Sequence, residues 1–177
     1  MLRPATLLDL DAIAALHAAN YRLAYRGALR DDFLAGDLES ERLRYWHDRL
    51  REPKGQRVIE VLELGGRCVG FSCTELDDSA DWGSKLANLH VAAAYQSRGL
   101  GTRLLRAVAA RCATRGGGLY WWVVESNAAA RRFYERLGAT ERGGGTWEAP
   151  DGGRVPWLRY AWTAAEVRAF AARGPAG

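Results

Sequence analysis

The sequence predicts an α/β protein of α+β arrangement, with a central mixed, mostly antiparallel sheet of about seven strands flanked by helices. Three observations carry that expectation. Runs rich in alternating or β-branched residues are interleaved with runs of helical spacing. Two pairs of strand-like runs, Arg57 to Leu64 with Arg67 to Leu76 and Ala139 to Trp147 with Arg154 to Trp162, are joined by glycine-containing turns, which makes each pair an antiparallel hairpin. One stretch, Lys85 to Glu125, reads strand, helix, strand, a crossover that places its two strands parallel. The whole chain, 1–177, is expected to be one domain, because a single core typically serves about 100 to 200 residues.

Element by element, Leu2 to Thr6 reads as a short strand. Asp9 stands as helix cap before Leu10, Ile13, Leu16 and Tyr21, which share one helical face. Leu29 to Leu50 carries Phe33, Leu34, Leu38, Leu43, Trp46 and Leu50 in a charged background, the pattern of one or two amphipathic helices broken near Gly36. Gly65-Gly66 supplies the positive backbone angles of a tight hairpin turn. Lys85 to Val91 is a strand, and Leu100, Leu104, Leu105, Val108 and Cys112 mark the buried face of a long helix that gives out at Gly116-Gly117-Gly118. Leu119 to Glu125 is a buried strand, Asn127 caps a helix ending at Gly138, and Ala164 to Ala172 forms a terminal helix before a frayed Gly-Pro tail.

The formal charge of +4 comes from arginines interleaved with Asp and Glu, Lys54 and Lys85 being the only lysines, so there is no polybasic block and no nucleic-acid partner is implied. A mild positive potential still favours an anionic ligand. Cys68, Cys73 and Cys112 are odd in number and lack CxxC spacing, which argues against both a disulfide framework and a metal site. No apolar run approaches the roughly 18 residues of a membrane span, and no leader-like segment is evident. The expected location is cytoplasmic, with no membrane partner.

The segment that carries chemistry is Leu89-His90-Val91-Ala92-Ala93-Ala94-Tyr95-Gln96-Ser97-Arg98-Gly99-Leu100-Gly101-Thr102, where a strand runs into a loop that opens a helix. Helix starts expose unpaired N–H groups and a partial positive charge, and Gly99 and Gly101 leave room for a phosphate to reach them. Arg98 can add a charge-assisted contact. A Walker loop is absent, and Gly99-Leu100-Gly101 is followed by Leu104 where a dinucleotide fingerprint requires glycine. The triple glycines beginning at Gly116 and Gly143 read as turns.

Gln96-Ser97-Arg98-Gly99-Leu100-Gly101 resembles the coenzyme A motif Q/R-x-x-G-x-G/A of the GNAT superfamily of N-acetyltransferases. The resemblance extends to the strand Leu89-His90-Val91 before it and to Asn127-Ala128-Ala129-Ala130-Arg131-Arg132-Phe133-Tyr134-Glu135-Arg136-Leu137-Gly138-Ala139, similar to the second family motif in both order and spacing. Fainter likeness at Arg3-Pro4-Ala5-Thr6 and Arg159-Tyr160 takes it over nearly the whole chain.

The resemblance implies an acetyltransferase that uses acetyl-coenzyme A, without a metal, to acetylate a primary amine on a small molecule, peptide or protein. It implies that the strands of Leu89–Val91 and Trp121–Glu125 run parallel and splay, so that the pantetheine arm binds between them like an added strand. The pyrophosphate is assigned to the backbone of Gln96 to Thr102, with Thr102 as a hydroxyl donor, and Asn127 to the other side of the arm. Tyr134 matches the family tyrosine near the sulfur, a general acid for the departing thiolate. A backbone N–H near Leu89 to Val91 is the expected oxyanion donor.

The family pattern often places a Glu on the strand before the loop, and this chain has Leu86-Ala87-Asn88-Leu89-His90 there. His90 is a candidate base, with Asn88, Glu75, Asp77, Glu125 or a water chain as alternatives. Tyr21, Tyr25, Trp46, Trp82, Trp121, Trp122, Trp147 and Trp157 either fill the core or line an acceptor pocket. An edge strand with Trp157 and Trp162 would pair two subunits, making a homodimer a further expectation. A coenzyme A sensor without turnover, or transfer of a longer acyl group, are rival readings.

Overall fold

A computed structural model of the chain describes residues 1–51 and 56–173. Lys54 and the tail expected to fray, 174–177, lie outside the described residues. The seven strands form one sheet in the order β1-β2-β3-β4-β5-β7-β6, with β1 (Leu2–Pro4), β2 (Arg57–Leu64), β3 (Arg67–Ser79), β4 (Gly83–Val91), β5 (Leu119–Val124), β6 (Thr140–Glu148) and β7 (Arg154–Trp162). Every neighbouring pair is antiparallel except β4 and β5. The fold is therefore the mixed, mostly antiparallel arrangement the sequence predicts.

The helices are α1 (Leu10–Ala24), α2 (Asp31–Ala35), α3 (Leu38–Arg51), α4 (Leu100–Ala113), α5 (Ala128–Arg136) and α6 (Ala164–Ala172). In α1, Ile13, His17 and Tyr21 fall four residues apart and are all buried, with Ala14 and Ala18 beside them. Ile13 and Ala14 pack with Trp46 of α3 on Val61, Phe71 and Cys73 of the sheet, and Ala18 and Tyr21 with Leu29, Leu34 and Leu38. On the opposite face, Leu105, Val108 and Cys112 of α4 and Val167 and Phe170 of α6 pack on Leu119, Trp121 and Trp162. The site is thus held between two cores on either side of one sheet.

The start of α1 differs from the reading of the sequence. Thr6 caps a short 3-10 turn at Leu7–Asp9, and Asp9 itself makes no cap hydrogen bond to α1. Its carboxylate instead accepts from Thr6 N and from both terminal nitrogens of Arg3 at 2.8 Å, because an acidic residue three positions after a Thr cap can reach back to the cap. The strand order supplies a second correction. β7, which carries Trp157 and Trp162, lies between β5 and β6, so the exposed edge at this end is β6 and those tryptophans are not on an edge strand.

Gly118 explains why the Gly116-Gly117-Gly118 run is more than a turn. A Cβ on Gly118 would sit 2.7 Å from Trp162 O and 2.9 Å from Trp82 O, and one on Gly83 would collide with the Gly118 backbone. Only hydrogen at both positions lets β4 and β5 come together at their amino ends. That pairing is brief: Ser84 faces Leu119 and Lys85 faces Tyr120, and beyond them no further β4–β5 pair is formed. A bulge in β4, where Leu86 pairs Thr74 and Asn88 pairs Cys73, helps turn the strand away. The result is a wedge between Leu86–Val91 and Trp121–Val124.

Candidate active site

At the carboxyl end of β4 the chain makes a 3-10 turn at Ala93–Tyr95 and enters α4 through a tight loop. Gln96 Nε2 ties that loop back by donating to Val91 O at 3.0 Å. Ser97 has φ of 59° and Gly99 has φ of 75°, a pair of left-handed residues that aims the loop backbone. Gly99 is the cap of α4 and supplies no side-chain acceptor, so the first N–H groups of the helix are left without a side-chain partner. An anion-seeking helix start therefore opens at the mouth of the wedge.

A groove of about 690 Å³ runs from this loop into the wedge. Of the residues named from the sequence, Leu89, His90, Val91, Gln96, Ser97, Gly99, Gly101, Thr102, Asn127 and Tyr134 line it. Arg98 and Leu100 do not: the Arg98 guanidinium lies over the Tyr95 ring, and Leu100 packs against the cluster of Leu62, Val69, Val91 and Leu104. The opposite wall is α5, where Asn127 Oδ1 accepts from Ala130 N at 3.1 Å and so acts as the expected cap. Arg132 and Arg136, one turn apart and exposed on α5, also line the groove; their i, i+4 spacing is a sequence signal that was there to be used. Gly101 passes the ring of Phe133 closely, a Cβ there lying 3.3 Å from Cζ.

A second, smaller cavity of about 150 Å³ continues the wedge past Tyr134. It shares Ala24, Leu89, His90, Asn127, Ala130 and Tyr134 with the groove and adds His17 and Tyr25 from the α1 region, Leu86 and Asn88 from β4, and Trp121 and Trp122 from β5. Tyr134, 8% exposed, is thus common to both spaces. Burial pushes its phenol well above the ordinary tyrosine value, so it remains protonated and able to donate.

His90 packs against Phe71 at 5.1 Å and against His17 at 4.7 Å between ring centroids. Burial, with the Arg42 charge second, holds it down to about 4. His17 is held down to about 2, by burial first and then by His90, Arg42 and Arg49. Both imidazoles are neutral at physiological pH. Trp46 Nε1 donates to His17 Nδ1 at 2.9 Å, which fixes the His17 proton on Nε2. Asn20 donates to Val91 O at 3.0 Å and brings the same amide nitrogen to 3.5 Å from His90 Nδ1.

The carboxylates weighed from the sequence lie elsewhere. Glu75 pairs with Arg57 at 3.1 Å, Asp77 with Arg115, and neither they nor Glu125 line the groove or the cavity. Of the aromatic set, Trp46 and Tyr21 are core, Trp157 stacks on Trp122 at 4.3 Å, and Tyr25, Trp121 and Trp122 reach the cavity. Among the described residues no group of three or more His, Cys, Asp or Glu side chains could hold a metal ion, and no helix is long and apolar enough to cross a membrane.

Two diverging parallel strands thus split the sheet, with a helix start at the open end and a buried tyrosine where the groove meets the smaller cavity. The chain belongs to the acetyltransferase (GNAT) family, whose model matches residues 22–139. No curated protein matches it. Among solved structures, it is similar to a ribosomal-protein-alanine N-acetyltransferase from Brucella melitensis (22% identity, 92% of this chain and 99% of that one, TM-score 0.68). It is also similar to PaiA N-acetyltransferase from Thermoplasma acidophilum in complex with coenzyme A (12% identity, 92% and 98%, TM-score 0.66). A third likeness is to yncA of Salmonella typhimurium with its cofactor acetyl-CoA (17% identity, 100% and 96%, TM-score 0.64). At these identities the likeness is one of fold.

Proposed function

We propose that the protein transfers the acetyl group of acetyl-coenzyme A to a primary amine, by direct attack in a ternary complex. The observation that carries the proposal is the continuity of the two spaces: the groove leads from the uncapped α4 start to Tyr134, and the smaller cavity meets it there. The residues fit the coenzyme. Backbone N–H groups from Gly99 to Thr102, with Arg132 and Arg136 opposite, suit a pyrophosphate. The unpaired β4 edge from Leu86 to Val91 suits the amide-bearing arm. Asn127 would contact that arm from α5.

In the reaction the amine lone pair attacks the thioester carbonyl, a C–N bond forms and the C–S bond breaks. Nitrogen gives up one proton and sulfur takes one. Tyr134 is the donor to the thiolate in this proposal, its phenol kept protonated by burial. Backbone N–H groups of Leu89 to Val91 are the proposed oxyanion donors. His90, a candidate base by sequence, is held down to about 4 by burial and is too weak to deprotonate an alkylammonium efficiently. We therefore assign the amine proton to water, with His90 as a neutral hydrogen-bonding group. The reducing cytoplasm is the proposed location, in keeping with three free cysteines of which Cys73 and Cys112 are buried.

Gly101→Leu tests the coenzyme half of the proposal. The added side chain enters the groove beside Phe133, and the coenzyme A dissociation constant is expected to rise by at least about tenfold, the effect of about 1.4 kcal/mol. Isothermal titration checks it; unchanged affinity would remove this groove as the coenzyme site.

A further inference from the structure

The smaller cavity holds more unpaired polar groups than the transfer of an acetyl group requires. Trp121 is 1% exposed and its Nε1–H is buried without a hydrogen-bond partner; Asn88 Oδ1 is buried and equally unpartnered. Both residues line the cavity. A third group joins them. His17, 4% exposed, has its Nδ1 occupied by Trp46, so its proton is on Nε2, and this residue too lines the cavity as a donor. Trp121 Nε1 and Asn88 Oδ1, buried and unpartnered, each cost stability unless something arrives to satisfy them.

The set is two donors and one acceptor around a space of about 150 Å³, with no carboxylate among its lining residues. A cavity built for an alkylammonium would place an anion beside it. Here no carboxylate lines the cavity, and the charge that acts on both imidazoles is the guanidinium of Arg42, itself paired with Glu41. The cavity selects an amine that arrives neutral. At pH 7.5 about a third of an α-amine is neutral, against roughly one in a thousand lysine side chains. An α-amine next to a carbonyl supplies a partner for each polar group: its N–H donates to Asn88 Oδ1, and the carbonyl oxygen, with two lone pairs, accepts from His17 Nε2 and Trp121 Nε1.

Resting on the acetyltransferase reading, we propose that the acceptor is an α-amino acyl compound, an amino-acid amide or the amino-terminal residue of a peptide, recognised through its carbonyl as well as its amine. Trp46 is a positioning residue: it touches no substrate and holds the His17 proton on the side facing away from it.

The test is equilibrium binding to the coenzyme A-loaded protein, which needs no turnover and so stands apart from the acetyltransferase reading. L-Alaninamide is compared with its isostere 3-methylbutan-2-amine, affinities being expressed per neutral amine. The expected preference for alaninamide is about thirtyfold, the scale for leaving buried polar groups unpaired. His17→Phe should bring that ratio within about threefold while coenzyme A affinity stays unchanged, and Trp46→Phe, which frees the tautomer but keeps both rings, should reduce it by about half on a logarithmic scale. Equal affinities for the two amines in the unmodified protein, or a ratio unmoved in both variants, would overturn the proposal. Absence of thiol release with alaninamide, in spite of carbonyl-dependent binding, would count against the acetyltransferase reading alone.

Discussion

Tyr134→Phe is expected to lower turnover by about a hundredfold, the lower end of what a positioned general acid contributes. Coenzyme A affinity should remain nearly unchanged. The phenol ring packs 4.7 Å from Trp121 and 5.0 Å from Phe133, and Phe keeps those contacts while removing only the hydroxyl that both spaces share. Because the lost interaction would be made in the transition state, kcat and kcat/KM should fall together while KM is little altered. A solvent-derived proton would replace the phenol at high concentrations of a small acid, so partial chemical rescue is the corroborating sign. A rate within about twofold of the unmodified enzyme would remove Tyr134 from the mechanism.

The second large effect concerns acid stability. In the folded protein His90 titrates at about 4 and His17 at about 2, against an ordinary value near 6.5 in the unfolded chain. Between pH 6.5 and pH 4.5 the unfolded chain therefore binds protons that the folded chain refuses. The sign follows: stability is fully present above about pH 6.5 and falls as the pH drops toward the folded values. Two groups over two pH units correspond to about 5 kcal/mol. The carboxylates held low by partners, Asp9, Asp37, Asp77 and Asp151, act in the same direction but only below their ordinary value of 3.8, outside this window. Urea unfolding at pH 7 and pH 4.5 measures the difference, and stability that is flat across that interval would contradict neutral, enclosed imidazoles.

Much of the site was legible because its signals are local. The loop from Gln96 to Thr102 announces itself by glycines at a strand-to-helix junction, and the α5 wall by Asn127 at a helix cap with Tyr134 two turns on. Local geometry then sorted neighbours that sequence could not: Leu100, the first residue of α4, packs against a core cluster, and Arg98, in the loop before it, turns onto Tyr95. The second cavity was illegible for a different reason. His17 meets Trp46 from 29 positions away and Asn20 meets His90 from 70, so neither partnership leaves a local pattern. Nor does a hairpin motif reveal which of its strands joins the sheet, which is why β7 and not β6 proved to be the inner one.

The same long-range assembly accounts for a polar cluster that the family motifs reach only at His90. Trp46 on α3, His17 and Asn20 on α1 and His90 on β4 come together only because α1 and α3 share a core over Phe71. In the proposed function this cluster stands at the acceptor end and the motif residues at the coenzyme end, and Tyr134 lines both spaces.

The most direct test of the central claim is to incubate the protein with acetyl-coenzyme A, with and without L-alaninamide, and to measure free thiol and N-acetylated product together. The account predicts amine-dependent thiol release, matched mole for mole by product carrying the acetyl group on nitrogen. Saturable coenzyme binding with no release from alaninamide, a polyamine or a lysine peptide would contradict it and leave a coenzyme-binding module without turnover.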